Sequence, residues 1–200
     1  MRIQRKYYLE RRENGLVKII CGLRRCGKSY LLFQIYLNYL RGEGVDDNHI
    51  IQIALDDDHY ADLRNPDNLS AFVRSRISDR NSLYYLFIDE IQYAISKSEM
   101  KRRDLPVRLY CVLNGLMRLG NVDIYVTGSN SKMLSTDILN EFRGCGDKVE
   151  LHPLSFAEVY SHLGGDLAQT YGLCAVWRNA DGVCQAKFPG ESQLPGRPFP

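Results

Sequence analysis

The chain has 200 residues, of which 44% are hydrophobic and 25% charged, and its net charge is +2. Such a length and apolar share give one substantial domain with a real core, or one domain and a fragment of another, in an ordinary soluble globular protein. The charge neither demands nor excludes nucleic acid, no run of about 18 apolar residues is present to span a membrane, and the basic start lacks the apolar stretch of a signal peptide.

In chain order the pattern predicts strands alternating with helices. Residues 6–12 read as a short lead-in helix, and Asn14-Gly15 as the turn before a first strand at 16–21, apolar on both faces. A helix at 29–40 ends near Gly42 and Gly44. A second strand at 50–55 is followed by a helix at 67–77, with Pro66 near its start. Strands at 83–88, 122–126 and 148–151 then alternate with helices at 105–119, 131–142 and 155–163. This alternation argues for a parallel α/β sheet with helices on both faces.

Between the first strand and its helix, residues 22–29 read Gly-Leu-Arg-Arg-Cys-Gly-Lys-Ser, a complete G-x-x-x-x-G-K-S loop. The backbone of such a loop curls round a phosphate with its N–H groups inward, and a side chain at Gly22 or Gly27 would block that approach. Lys28 supplies a point charge to the β- and γ-phosphates, and the Ser29 hydroxyl is a ligand for Mg²⁺. The following helix turns its N-terminal dipole toward the same phosphates. The expected nucleotide-binding set is therefore Gly22, Leu23, Arg24, Arg25, Cys26, Gly27, Lys28, Ser29 and Tyr30. Arg24 and Arg25 touch either phosphates or a neighbouring subunit, and the sequence leaves both readings open. Six cysteines make no C-x-x-C pair and no zinc-like pattern with the four histidines. Because a disulfide at Cys26 would obstruct the loop, reduced thiols of a cytoplasmic protein are expected.

The third strand ends in Phe87-Ile88-Asp89-Glu90. A parallel strand adjacent to the loop would deliver this end beside the phosphates. Asp89 then holds Mg²⁺ through its water shell, and Glu90 polarises the attacking water. Many nucleotide-binding proteins would use the aspartate alone; the Asp-Glu pair points to hydrolysis, because a water nucleophile needs a base or orienting acceptor. The fourth strand ends in Thr127-Gly-Ser-Asn-Ser131. At this strand's tip, between the ends of the two flanking strands, Ser129 or Asn130, with Thr127 behind them, would contact the γ-phosphate or the hydrolytic water, and a helix N-cap at Asn130 or Ser131 is the equal alternative. Asp56, Asp57 and Asp58 read as a solvated turn, and His49, His59, His152 and His162 are isolated.

Four ordered motifs, at 22–29, Leu86 to Gln92, Tyr125 to Ser131 and Leu151 to Glu158, together resemble the prokaryotic AAA-type ATP-binding proteins in which such a domain precedes a C-terminal domain of unknown function. The resemblance covers about residues 1–165. It implies a three-layer AAA+-type P-loop fold with a five-stranded parallel sheet and the loop strand central, ATP and Mg²⁺ as ligands, and ATP hydrolysis. It also implies assembly into homo-oligomers, in which one subunit completes its neighbour's site. The competing function is an ATP-switched binding module for a protein or nucleic-acid partner with little turnover; an inactive fragment is the third.

Two departures from that family stand out. Where related sequences often carry Phe-Arg-Gly-Arg-Gly-Asp, this chain has Phe142-Arg-Gly-Cys-Gly-Asp147, so Arg143 matches and Cys145 replaces the second arginine. Arg143 is the candidate to reach a γ-phosphate in the same or a neighbouring subunit, an effect worth about 10³–10⁵ in rate where established. From about residue 166 the helix and strand patterning stops, so 166–200 is expected to be a tail that packs poorly. The family normally continues there with Tyr-Gly-Gly-Met-Pro, opening the second domain. A one-base frame shift from Leu173 permits Tyr-Ala-Leu-Tyr-Gly-Gly-Met-Pro-Met-Val, so the chain is expected to be truncated before its partner domain, with residues from about 166–172 onward out of frame.

Overall fold

The structure, a computed structural model, describes residues 11–24, 26–96, 98–99, 107–128, 146–153, 155–162, 164–166 and 169. Five of the apolar runs become strands: β1 (Val17–Gly22), β2 (Ile50–Ala54), β3 (Tyr84–Asp89), β4 (Val122–Thr127) and β5 (Gly146–Leu151). They form one parallel sheet in the order β2-β3-β4-β1-β5. Every residue of β3 and β4 is buried, which is why these segments read as unbroken apolar runs rather than as alternating ones.

This order puts the tip of β4 between the ends of the loop strand and of the strand that ends in Asp89, as expected, with Lys18 opposite Tyr125 and Leu86 opposite Ile124. The insertion has a physical reason. Lys18 of β1 and Asp123 of β4 are both buried and form an ion pair, and two such charges are tolerable inside a core only when they meet. Tyr125 Oη donates to Asp123 at 2.9 Å, the Glu13 backbone N–H donates to the same carboxylate at 3.0 Å, and the Tyr36 and Tyr125 hydroxyls lie 2.7 Å apart. Burial pushes both tyrosine hydroxyls well above their ordinary pKa, so they serve as neutral donors and acceptors.

Helices cover both faces. The first, α1, is one continuous run made of Lys28–Tyr30, a wider π-helical stretch at Leu31–Tyr36, and Leu37–Gly42. Leu31, Leu32, Leu37 and Leu40 of α1 pack with Ile20, Phe87 and Tyr125 on one side of the sheet. On the other side lie α2 (Pro66–Arg76) and α3 (Arg108–Met117), whose Leu69, Val73, Leu109, Leu113 and Leu116 meet Ile19, Ile53, Leu86, Ile88 and Val126. Each such burial contributes about 1.5–3 kcal/mol. Pro66 occupies the first helical position of α2, and the Asn65 side chain accepts from the Asp67 N–H at 2.9 Å, so the start of this helix is fixed by its cap. The result is the expected three-layer α/β fold with β1 inside the sheet.

Residues 2–151 form one compact unit, and the chain from His152 onward belongs to another. In the latter, α4 (Phe156–His162) starts at a capping box: Ser155 N and Oγ donate to Glu158 at 2.9 Å, and Glu158 N donates back to Ser155 Oγ at 3.3 Å. The predicted helix at 131–142 and nearly all of the tail at 166–200 lie outside the described residues. So does most of the predicted lead-in helix, of which Arg11 and Arg12 lie in a turn.

Candidate functional site

In a parallel sheet all strands point the same way, so the carboxyl ends of β1, β3 and β4 open on one edge. The loop leaves β1 at Gly22, where an added Cβ would meet the Leu151 carbonyl oxygen at 2.2 Å. Glycine is therefore required here by the close pass of β5, before any ligand is considered. Gly27 has φ +93° with open space around it, so its requirement is conformational. The turn closes with Cys26 N–H donating to Leu23 O at 3.3 Å, and α1 begins with Leu31 N–H donating to Gly27 O at 2.8 Å.

Lys28 is buried, and its ammonium donates to the carbonyls of Leu23 at 2.9 Å and Gly22 at 3.2 Å. The lysine is thus held inside the loop by groups that phosphate oxygens would replace. Burial pushes the Cys26 thiol up, against the nearby Lys28 charge, which keeps it a neutral lining group. Leu23, Arg24, Ser29 and Tyr30 are exposed around the loop; Arg25 lies outside the described residues.

Asp89 is the centre of the site. It is buried at the end of β3, and it receives hydrogen bonds from the Thr127 hydroxyl and from the Glu90 N–H at 3.0 Å, with the Ser29 hydroxyl beside it. Burial pushes its carboxyl above the ordinary 3.8, and the two hydroxyls oppose that shift. A desolvated carboxylate beside the loop serine suits a divalent cation, which Ser29 and Asp89 would hold. Thr127, expected only behind Ser129 and Asn130, proves to be the residue of the β4 tip that touches Asp89, and its Oγ1 also accepts from Glu90 N–H at 3.4 Å. Ser129, Asn130 and Arg143 lie outside the described residues.

Glu90 has a left-handed backbone, φ 52° and ψ 48°, uncommon for a residue with a side chain. Its carboxylate accepts a hydrogen bond from Gln92 Nε2. The sequence places Gln92 at the end of the Leu86–Gln92 motif without a role; the available signal was a polar residue two places past the acid, with buried Ile91 between. Among the described residues no three His, Cys, Asp or Glu side chains gather to hold a metal, and no helix is long and apolar enough to cross a membrane.

Comparison with known proteins bears on the fold and the family. The chain is 28% identical over 160 residues to an uncharacterized protein of Haemophilus influenzae, a match that covers 78% of this chain and 37% of that one. It is 33% identical over 146 residues to an uncharacterized protein of Methanocaldococcus jannaschii, covering 71% and 27%. It thus spans about a third of the length of these relatives. Among solved structures it resembles C. elegans PCH-2 with TM-score 0.52 and 11% identity, over 90% of this chain and 47% of that one. It also resembles a DNA replication initiation factor with TM-score 0.50 and 19% identity, over 82% and 48%. At such identities these two likenesses carry the fold alone. A family profile described as an AAA domain matches residues 14–160. With a five-stranded parallel sheet and a match over most of its length, the chain belongs to the AAA domain family.

Proposed function

We propose that this domain binds ATP with Mg²⁺ and hydrolyses it to ADP and phosphate. The observation that carries the reading is buried Asp89 at the end of β3, which accepts from Thr127 Oγ1 of β4 and from the Glu90 N–H and has the Ser29 hydroxyl of the loop beside it. The loop amides and Lys28 bind and orient the phosphates, while Ser29 and Asp89 hold the cation. When bound, Mg²⁺ supplies positive charge to the β- and γ-phosphate oxygens. Glu90 accepts a proton from water as the water oxygen attacks the γ-phosphorus; the bond to the bridging oxygen breaks, and ADP leaves. Ser129 or Asn130 senses the γ-phosphate, and Arg143 is the arginine that meets it, in this subunit or in the next one of a homo-oligomer. The ATPase domain comprises residues 1–165, with 166–200 outside it.

Steady-state phosphate release and ATP binding by wild type, Glu90→Gln and Lys28→Ala test this. Glu90→Gln is expected to bind ATP and to lose about 10²-fold or more of turnover, and Lys28→Ala to lose ATP. ATP binding without turnover in either wild type or Glu90→Gln would instead support the ATP-switched binding module. Wild-type ATP affinity in Lys28→Ala would overturn the site.

A further inference from the structure

We propose that Gln92 is a positioning residue for Glu90, holding its carboxylate in the orientation from which it meets the attacking water. The inference rests on the reading of Glu90 as the group that activates water. Gln92 Nε2 donates to Glu90 Oε2, which fixes the plane of the carboxylate. A glutamate side chain has three rotatable bonds, and a base that must meet one water molecule gains from having its carboxylate plane fixed. A neutral amide supplies that orientation without adding charge to the site.

The frame that carries Gln92 is held from both ends. On the Glu90 side, the left-handed backbone is tied down by its N–H, which donates to Asp89 Oδ1 at 3.0 Å and to Thr127 Oγ1 at 3.4 Å. On the other side Ile91, Ala94 and Ile95 are buried, which anchors the short turn Ile91–Ala94. Tyr93 lies under the Arg64 guanidinium at 5.3 Å, and Arg64 Nε donates to the Leu55 carbonyl at 2.8 Å. Asp89, Thr127 and the loop beyond β2 thus all brace the five residues that present the carboxylate.

The test compares Gln92→Met, which keeps the length and removes the donor, with Gln92→His at pH 8, which keeps a neutral N–H donor at similar reach. Gln92→Met is expected to lower kcat about 10- to 100-fold with an unchanged KM for ATP, and Gln92→His to retain most of kcat. Thermal melting of both variants separates this from a structural role, in which kcat would follow stability rather than the presence of a donor. Wild-type kcat in Gln92→Met, or an equal fall in both variants, overturns the proposal. Glu90→Gln measured alongside reports separately on the reading of Glu90 as base. A second readout needs no turnover: the side-chain amide NMR signals of Gln92 in the full chain are expected to move on Glu90→Ala. If they stay in place, the contact is absent and the proposal falls.

Discussion

At Gly22 an added Cβ would meet a backbone carbonyl oxygen at 2.2 Å, whereas at Gly27 it would meet nothing within 4 Å. The two glycines of one loop are therefore needed for different reasons, and their alanine variants should differ. Gly22→Ala must push β5 away from β1 and is expected to cost about 3 kcal/mol or more. Gly27→Ala carries only the strain of φ +93° and is expected to cost about 1–2 kcal/mol; urea unfolding of both variants would read the difference. Asp89 gives a prediction of opposite sign. Because burial raises its pKa, the folded state prefers the neutral acid, and ionisation destabilises it. That destabilisation is absent well below 3.8, grows as pH rises from there through the raised value, and is complete above it. Asp89→Asn keeps an oxygen to accept from Thr127 without the charge. It should melt higher than wild type at pH 7, lose that advantage in strong acid, and lose the response to Mg²⁺. Thermal melts across pH, with and without the cation, would measure all three.

Among the elements, the β1–β4 contact is the most exacting, because it buries Lys18 against Asp123. Lys18→Met would leave Asp123 buried without its cation and is expected to cost about 3–5 kcal/mol. Adding Asp123→Asn should recover part of that loss, since an amide oxygen still accepts from Tyr125 and from the Glu13 N–H. Denaturant midpoints of the single and double variants would show the recovery. The same pair marks where sequence reading stopped. The strands were legible because buried parallel strands are continuous apolar runs, and their ends moved by only one or two residues. Leu16 falls out of β1 because its N–H donates to the Asn14 side chain at 3.0 Å, while Gly22 joins through its pairing with Leu151. The Lys18–Asp123 pair was not legible, because a lysine and an aspartate 105 residues apart do not announce that they face each other. Loop and carboxylates were readable as motifs. Gln92 stood inside one of them without a role, since its contact depends on a left-handed turn at Glu90, a backbone angle that residue type disfavours.

For the whole molecule, the site sits on one edge of a sheet whose two faces are closed by separate helical layers, and the family match ends at residue 160. The relatives are longer, since the chain spans about a third of their length. We propose that residues from about 166–172 onward are read out of frame. The codons constrain this sharply at one point: Trp177 has only TGG, so a frame shifted by one base reads glycine there whatever follows. Val176 permits tyrosine before it; Arg178 permits a second glycine, and Asn179, Ala180 and Asp181 permit Met-Pro after it. That order is the Tyr-Gly-Gly-Met-Pro with which the resembled proteins open their second domain. Degeneracy makes such matches easy to permit, so permission alone decides nothing, and the nucleotide sequence does. DNA across codons 165–185 is expected to spell this peptide in the shifted frame. If no alternative frame spells it, the tail is a natural divergent one, and the AAA domain stands with a different neighbour.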